Sequence, residues 1–74
     1  MTVDLGCNVS FRDVKHGSEE SFRLVPTGQS DVAHRMLAAD SPVGRALIGH
    51  EPGDTVEVHA PTGIRRLLIT GVVA

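Results

Sequence analysis

Residues 40–54, with the sequence DSPVGRALIGHEPGD, decide the fold of this chain because they predict one short helix with a marked start. Ser41 is a favourable N-cap residue, since its hydroxyl can accept a hydrogen bond from a backbone N–H of the first turn. Pro42 suits the first helical position, where a backbone N–H would lack a partner anyway. Three apolar residues then follow at the spacing of one helix face: Val43, Ala46 and Leu47.

The end of this helix is marked as clearly as its start. Gly49 can adopt the left-handed conformation that terminates helices, and Pro52-Gly53 predicts a turn before the next strand. A helix of about two turns is unstable by itself in water. The apolar helix face therefore requires a β-sheet to pack against, and the rest of the chain must supply it.

On the N-terminal side of the helix, alternating polar and apolar residues predict a β-hairpin. Its two strands are residues 8–14 and 19–25, and a turn at residues 15–18 joins them. One side of the first strand carries Val9, Phe11 and Asp13, and the inward residues of the second strand are Phe22 and Leu24.

On the C-terminal side, residues 54–59 and 64–73 predict a second hairpin around a turn at residues 60–63. The last strand is long and rich in β-branched residues, so we expect it to be the most buried strand of the sheet. Gly71 within it indicates a bulge or a close approach of another group.

Residues 31–39 leave two interpretations open. They could form a helix capped by Ser30, which local propensity favours, or residues 35–39 could form a short third strand. With either interpretation the order of elements predicts an α+β domain, in which one short helix packs on an antiparallel β-sheet.

Composition excludes several classes of function. The chain has a net charge of −2 and no basic stripe, so we expect no direct specific binding of nucleic acid, and no apolar run is long enough to cross a membrane. The single cysteine, Cys7, suits a reducing cytoplasm and is expected to be a small buried or half-buried apolar residue. No metal or cofactor is predicted, because the four histidines lack ligand spacing: His16, His34, His50 and His59.

Two charged pairs resemble functional motifs but have a simpler interpretation. Glu19-Glu20 and Arg65-Arg66 are adjacent residues in predicted strands, so the two side chains of each pair point to opposite faces of the sheet. The pattern therefore favours neither a paired-acid catalytic site nor a basic patch. No catalytic residues are predicted, and we expect the chain not to be an enzyme.

Asp40-Ser41-Pro42 is the candidate site that remains. Its structural interpretation is a capped helix start, with Asp40 placed favourably against the helix dipole. Its functional interpretation is a rigid loop that presents Asp40 and Ser41 to a partner. The two interpretations are compatible, because a start fixed by capping is a good place for a recognition residue.

Three segments together resemble the C-terminal domain of the bacterial Gre transcript-cleavage factors (GreA/GreB). They are SPVGRALIG at residues 41–49, GDTVEV at 53–58 and APTG at 60–63. The first hairpin is similar too, through Gly6, Val9-Ser10-Phe11 and Phe22-Arg23-Leu24-Val25. The resemblance covers nearly all of residues 1–74, and it implies one domain with an FKBP-like fold and an extended segment at residues 36–38.

The resemblance also implies a partner, a site and a cytoplasmic location. In that family the domain docks on RNA polymerase at the rim of the secondary channel, and an Asp-Ser-Pro loop is implicated in gripping the coiled coil of the largest subunit. The matching partner-binding residues here are Asp40, Ser41 and Pro42. The family's N-terminal coiled coil, which carries the acidic residues used in cleavage, is absent from this sequence.

Other functions within the same resemblance stay open. Relatives with this module bind polymerase without stimulating cleavage or regulate nucleoside diphosphate kinase, and a stand-alone regulatory module is a further alternative. An FKBP-like fold also suggests prolyl isomerase activity. That activity uses an aromatic-lined pocket, which a chain with two Phe and no Trp or Tyr is poorly equipped to form.

Overall fold

The computed structural model describes residues 2–74, apart from the side chain of Val32. In this part of the chain five strands and one α-helix follow one another, with a short 3₁₀ turn (Val32–His34) before the third strand. The elements in chain order are β1 (Asn8–Asp13), β2 (Glu19–Val25), β3 (Met36–Ala38), α1 (Pro42–Leu47), β4 (Thr55–Ala60) and β5 (Gly63–Val73).

The strands form one mixed sheet in the order β3-β2-β1-β5-β4. The predicted α+β class with one short helix is confirmed, and the antiparallel arrangement holds for β2-β1-β5-β4. It is wrong for β3, which runs parallel to β2. Residues 26–35 carry the chain back along the sheet before β3 begins, which is the crossover that a parallel neighbour requires.

The ambiguous segment at residues 31–39 contains both kinds of structure. Residues 36–38 are extended, as the resemblance implied, and pair with Arg23–Val25 of β2. The 3₁₀ turn occupies only Val32–His34, and Arg35 then adopts a left-handed conformation with φ of 58°. The chain therefore reverses too soon after the turn for a longer helix to form.

The expectation that β5 is the most buried strand is wrong. Its first four residues, 63–66, are exposed, and only Leu67 and Ile69 are buried. The reason is that residues 63–66 pair with β4 alone, since β1 joins β5 from residue 67 onward. The bulge predicted near Gly71 is confirmed, because the register between β1 and β5 shifts by one residue between Ile69 and Gly71.

The core lies between the sheet and α1, which packs against both edge strands, β3 and β4. Leu47 of α1 is completely buried, and Val43 and Ala46 pack against the core from the same helix face, as predicted. Cys7 is buried, in agreement with its prediction as a small apolar residue. In the described residues, no helix has the length and apolar character needed to cross a membrane.

Candidate partner-binding site

The loop that carries Asp40 is fixed by Ser41, which connects the end of β3 to the start of α1. The Ser41 hydroxyl donates to the carbonyl oxygen of Ala38 at 2.6 Å and accepts from the backbone N–H of Gly44 at 3.1 Å. The backbone N–H of Ser41 also donates to the Ala38 carbonyl at 3.0 Å. The predicted N-cap at Ser41 is therefore confirmed, and it also ties the helix to a strand of the sheet.

Gly44 allows the helix to approach that strand closely. A Cβ atom at this position would lie 2.9 Å from the carbonyl oxygen of Ala39 and still closer to that of Ala38. Both atoms belong to the backbone, so they cannot move aside as a flexible side chain would. A glycine inside a helical pattern is the only local sign of this close approach, so the sequence alone does not predict it.

The three residues at the start of the helix differ in their exposure to solvent. Ser41 is half-buried and engaged in hydrogen bonds, whereas Asp40 and Pro42 are exposed. Among residues 2–74, no Lys, Arg or His side chain forms an ion pair with the Asp40 carboxylate. The loop therefore presents one carboxylate and one proline ring on a backbone held by the sheet.

The other charged candidates are engaged in surface contacts. Arg66 Nε donates to Glu57 across the β4–β5 hairpin at 3.2 Å, and Glu19 accepts from the hydroxyl of Thr70 at 3.1 Å. The histidines are spread over the surface. Among the described residues, no group of three or more His, Cys, Asp or Glu side chains is close enough together to hold a metal ion.

Asp13 is a buried acid that the sequence analysis placed on the same side as Val9 and Phe11 without assigning it a role. Its residue exposure is 4%. The backbone N–H groups of Lys15 and His16 donate to its Oδ1 at 2.9 Å, and Arg65 Nε donates to its Oδ2 at 3.3 Å. The hydrogen bond from His16, with those from Lys15 and Arg65, lowers the pKa of Asp13 despite its burial.

We expect Asp13→Asn to lower the thermal midpoint at neutral pH, by an amount that shrinks as the solution is acidified. The pKa of Asp13 is lower in the folded chain than its usual value of about 3.9 in an unfolded one. Its stabilising effect is therefore present above about pH 4 and is lost as the pH falls through the folded-state value. Thermal unfolding followed by circular dichroism from neutral pH into acid measures this.

Asp40→Asn is the control for that series, because it removes one carboxylate from an exposed position. Its thermal midpoint should stay close to that of the unmodified chain throughout. The thermal midpoints of Asp13→Asn and the unmodified chain should converge in acid. If their difference stays constant down to acid pH, the role assigned to the Asp13 charge is contradicted.

Comparison with known proteins shows extensive similarity to one family. The family model for the C-terminal domain of the transcription elongation factors GreA/GreB matches residues 1–73. The transcription elongation factor GreA of Thermotoga neapolitana is 40% identical over 70 residues, which cover 95% of this chain and 45% of that protein. GreA of Verminephrobacter eiseniae is 39% identical, covering 95% of this chain and 44% of its own length.

Solved structures share the fold described above. The GreA factor homolog 1 (Gfh1) of Thermus thermophilus superposes with a TM-score of 0.84 at 26% identity, covering 100% of this chain and 49% of that chain. The elongation factor GreA/GreB of Nitrosomonas europaea gives a TM-score of 0.76 at 30% identity, covering 97% and 60%. The chain spans about half the length of the curated relatives it matches.

Proposed function

The chain belongs to the GreA/GreB family of transcription elongation factors, and on that premise we propose that it is a non-catalytic module that docks on RNA polymerase. The docking site would be the rim of the secondary channel, where the largest subunit forms a coiled coil. Docking there would position a coiled-coil domain that is not contained in residues 1–74. Asp40, Ser41 and Pro42 would make the contact.

The observation that carries this proposal is the construction of the Asp40 loop. Ser41 and the close packing at Gly44 hold the loop against β3, so little conformational freedom remains to be lost when a partner binds. An exposed carboxylate on such a support can accept charge-assisted hydrogen bonds from a basic partner. Recognition by a protein surface therefore suits this loop better than turnover of a substrate.

The aromatic residues argue against prolyl isomerase activity. Phe11 and Phe22 are both buried in the core, where their rings stack with centroids 6.0 Å apart. The chain has no further aromatic residue of the Phe, Trp or Tyr type. An isomerase pocket lined by aromatic rings would require these two rings to leave the core.

We expect Asp40→Ala to weaken binding to core RNA polymerase by about tenfold or more, which corresponds to at least about 1.4 kcal/mol. Removing the carboxylate takes away charge-assisted hydrogen bonds at the interface but no core contact. The thermal midpoint should therefore stay within a few degrees of the unmodified chain. Fluorescence anisotropy of the labelled chain, titrated with core polymerase, measures the affinity.

Glu19→Ala is the matched control, since it removes an exposed carboxylate at the end of β2 that lies away from the Asp40 loop. It should leave the affinity for polymerase unchanged. Equal binding by Asp40→Ala and the unmodified chain would reject the assignment of Asp40. If the unmodified chain itself fails to bind core polymerase, the docking function is rejected as a whole.

A further inference from the structure

The exposed face of α1 continues the surface that begins at the Asp40 loop. Pro42 and Arg45 lie three residues apart in the helix, so their side chains share one face, and both residues are exposed. The opposite face carries Gly44 and Leu47, which are buried. We call the exposed surface formed by Asp40, Pro42 and Arg45 the helix face.

The helix face carries two opposite charges in surroundings that are otherwise uncharged. Asp40 and Arg45 are the only Asp, Glu, Lys or Arg residues between positions 36 and 49. The neighbouring segment, residues 24–30, has no charged residue either. It adjoins the Asp40 loop through Ala39, whose backbone N–H donates to the carbonyl of Val25 at 2.9 Å. A partner on this face therefore meets one isolated anion and one isolated cation.

Arg45 has no acidic partner in the part of the chain that the structure describes. Among residues 2–74, no Asp or Glu side chain forms an ion pair with it. Of the two strands that α1 packs against, β3 has no charged residue, and the one Asp or Glu of β4 is Glu57, which pairs with Arg66 at 3.2 Å. Glu57 alternates with the buried Val56 and Val58, so it lies on the face of β4 away from the core. The Arg45 guanidinium is therefore available to a carboxylate of a partner.

Arg45 and Asp40 are held on one support. The backbone N–H of Arg45 donates to the carbonyl of Ser41 at 2.9 Å, and the Ser41 hydroxyl binds the carbonyl of Ala38 in β3. The four residues from Ser41 to Arg45 advance the helix by about 6 Å along its axis. The two charges are thus presented at a fixed spacing that is similar to one or two turns of another helix.

This inference rests on the docking proposed above. We infer that Arg45 is a second recognition residue, which binds a carboxylate on the same polymerase coiled coil that supplies a basic residue to Asp40. An arginine can bind a carboxylate through two parallel hydrogen bonds, which adds directional preference to the charge attraction. The partner helix then carries one basic and one acidic side chain about one or two turns apart. The pair of charges also selects the direction of that helix, because the reversed helix would place like charges together.

Titration of the labelled chain with core RNA polymerase at about 0.15 M salt, followed by anisotropy, tests Arg45 directly. Arg45→Glu should weaken binding by about tenfold or more, because an attractive contact becomes a repulsive one. Arg45→Gln removes only the charge and should weaken binding less. The control Lys15→Glu makes the same change of charge at an exposed residue in the β1–β2 turn, away from the Asp40 loop, and should change the affinity less than about threefold.

Charge reversal on the polymerase separates recognition from an effect on the helix. This control is needed because Arg45 lies in the last turn of α1, where a cation also stabilises the helix dipole. Each Asp and Glu of the coiled coil is replaced by Lys in turn. One of these polymerase variants should bind the unmodified chain more weakly, and Arg45→Glu more tightly, than unmodified polymerase does. A helix that Arg45→Glu had merely destabilised would not regain affinity in this way.

The outcomes distinguish the role of Arg45 from the docking on which it rests. If Asp40→Ala weakens binding but Arg45→Glu binds as well as Lys15→Glu, the docking stands and the role of Arg45 is overturned. Failure of every Lys variant of the coiled coil to restore binding of Arg45→Glu overturns that role as well. If the unmodified chain does not bind core polymerase, the docking and the role of Arg45 are both rejected.

Discussion

Leu47→Ala is expected to destabilise the chain by about 2–5 kcal/mol, because it leaves a cavity where α1 meets the sheet. Leu47 is completely buried, and α1 has only six residues, so the helix cannot move far to fill the space. A chain of 74 residues is stable by about 4–11 kcal/mol at the usual 0.05–0.15 kcal/mol per residue. Urea unfolding monitored by circular dichroism should show the loss as a lower midpoint at similar slope.

Ile48→Ala provides a matched control one residue further along. It removes the same number of carbon atoms, but Ile48 is 37% exposed and lies at the C-cap of the helix. We expect it to cost much less than Leu47→Ala. Similar losses for the two variants would show that Leu47 does not anchor the helix to the sheet.

Local signals explain why much of the fold is predictable from the sequence. Ser41 and Gly49 mark a helix by side-chain and backbone preferences that act within one turn, and the structure places the cap at Ser41 and a φ of 85° at Gly49. Alternation with a period of two is equally local, and it identifies β2 with its observed bounds, Glu19–Val25. The sequence therefore predicts well those elements whose limits depend on residues close to them in the chain.

The errors concern partners that lie far apart in sequence. Periodicity cannot tell whether β3 runs parallel or antiparallel to β2, since both arrangements use the same residues. The burial of β5 depends on where β1 stops, and β1 covers only part of its length. Strand pairing, rather than propensity, decided both features.

The polar residues described above divide in the same way, into those that a local pattern predicts and those that only strand pairing brings together. The Asp40 loop could be predicted because its cap and its proline are contiguous. Asp13 and Arg65 are 52 residues apart, and only the register of the sheet brings them together. The one clue was a charged residue, Asp13, on the apolar side of β1.

Gly44→Ala is expected to destabilise the chain by about 1–3 kcal/mol or more, because the added methyl group overpacks against backbone atoms. Helix propensity alone predicts the opposite sign, a gain of up to about 1 kcal/mol for replacing a helical glycine by alanine. The sign of the measured change in stability decides between the two effects. We expect a loss, because a Cβ at Gly44 would overlap the carbonyl oxygens of Ala38 and Ala39. Thermal and urea unfolding measure it.

Gly71→Ala is the control, because no atom lies within 4 Å of a Cβ built there and its φ is not positive. Its stability should stay near that of the unmodified chain. The Gly44 substitution should also displace the Asp40 loop, since the helix start must move away from β3 to relieve the overlap. Folded Gly44→Ala would then bind core polymerase more weakly than Gly71→Ala does. Unchanged stability and unchanged binding would mean that the close helix–strand packing does not support the loop.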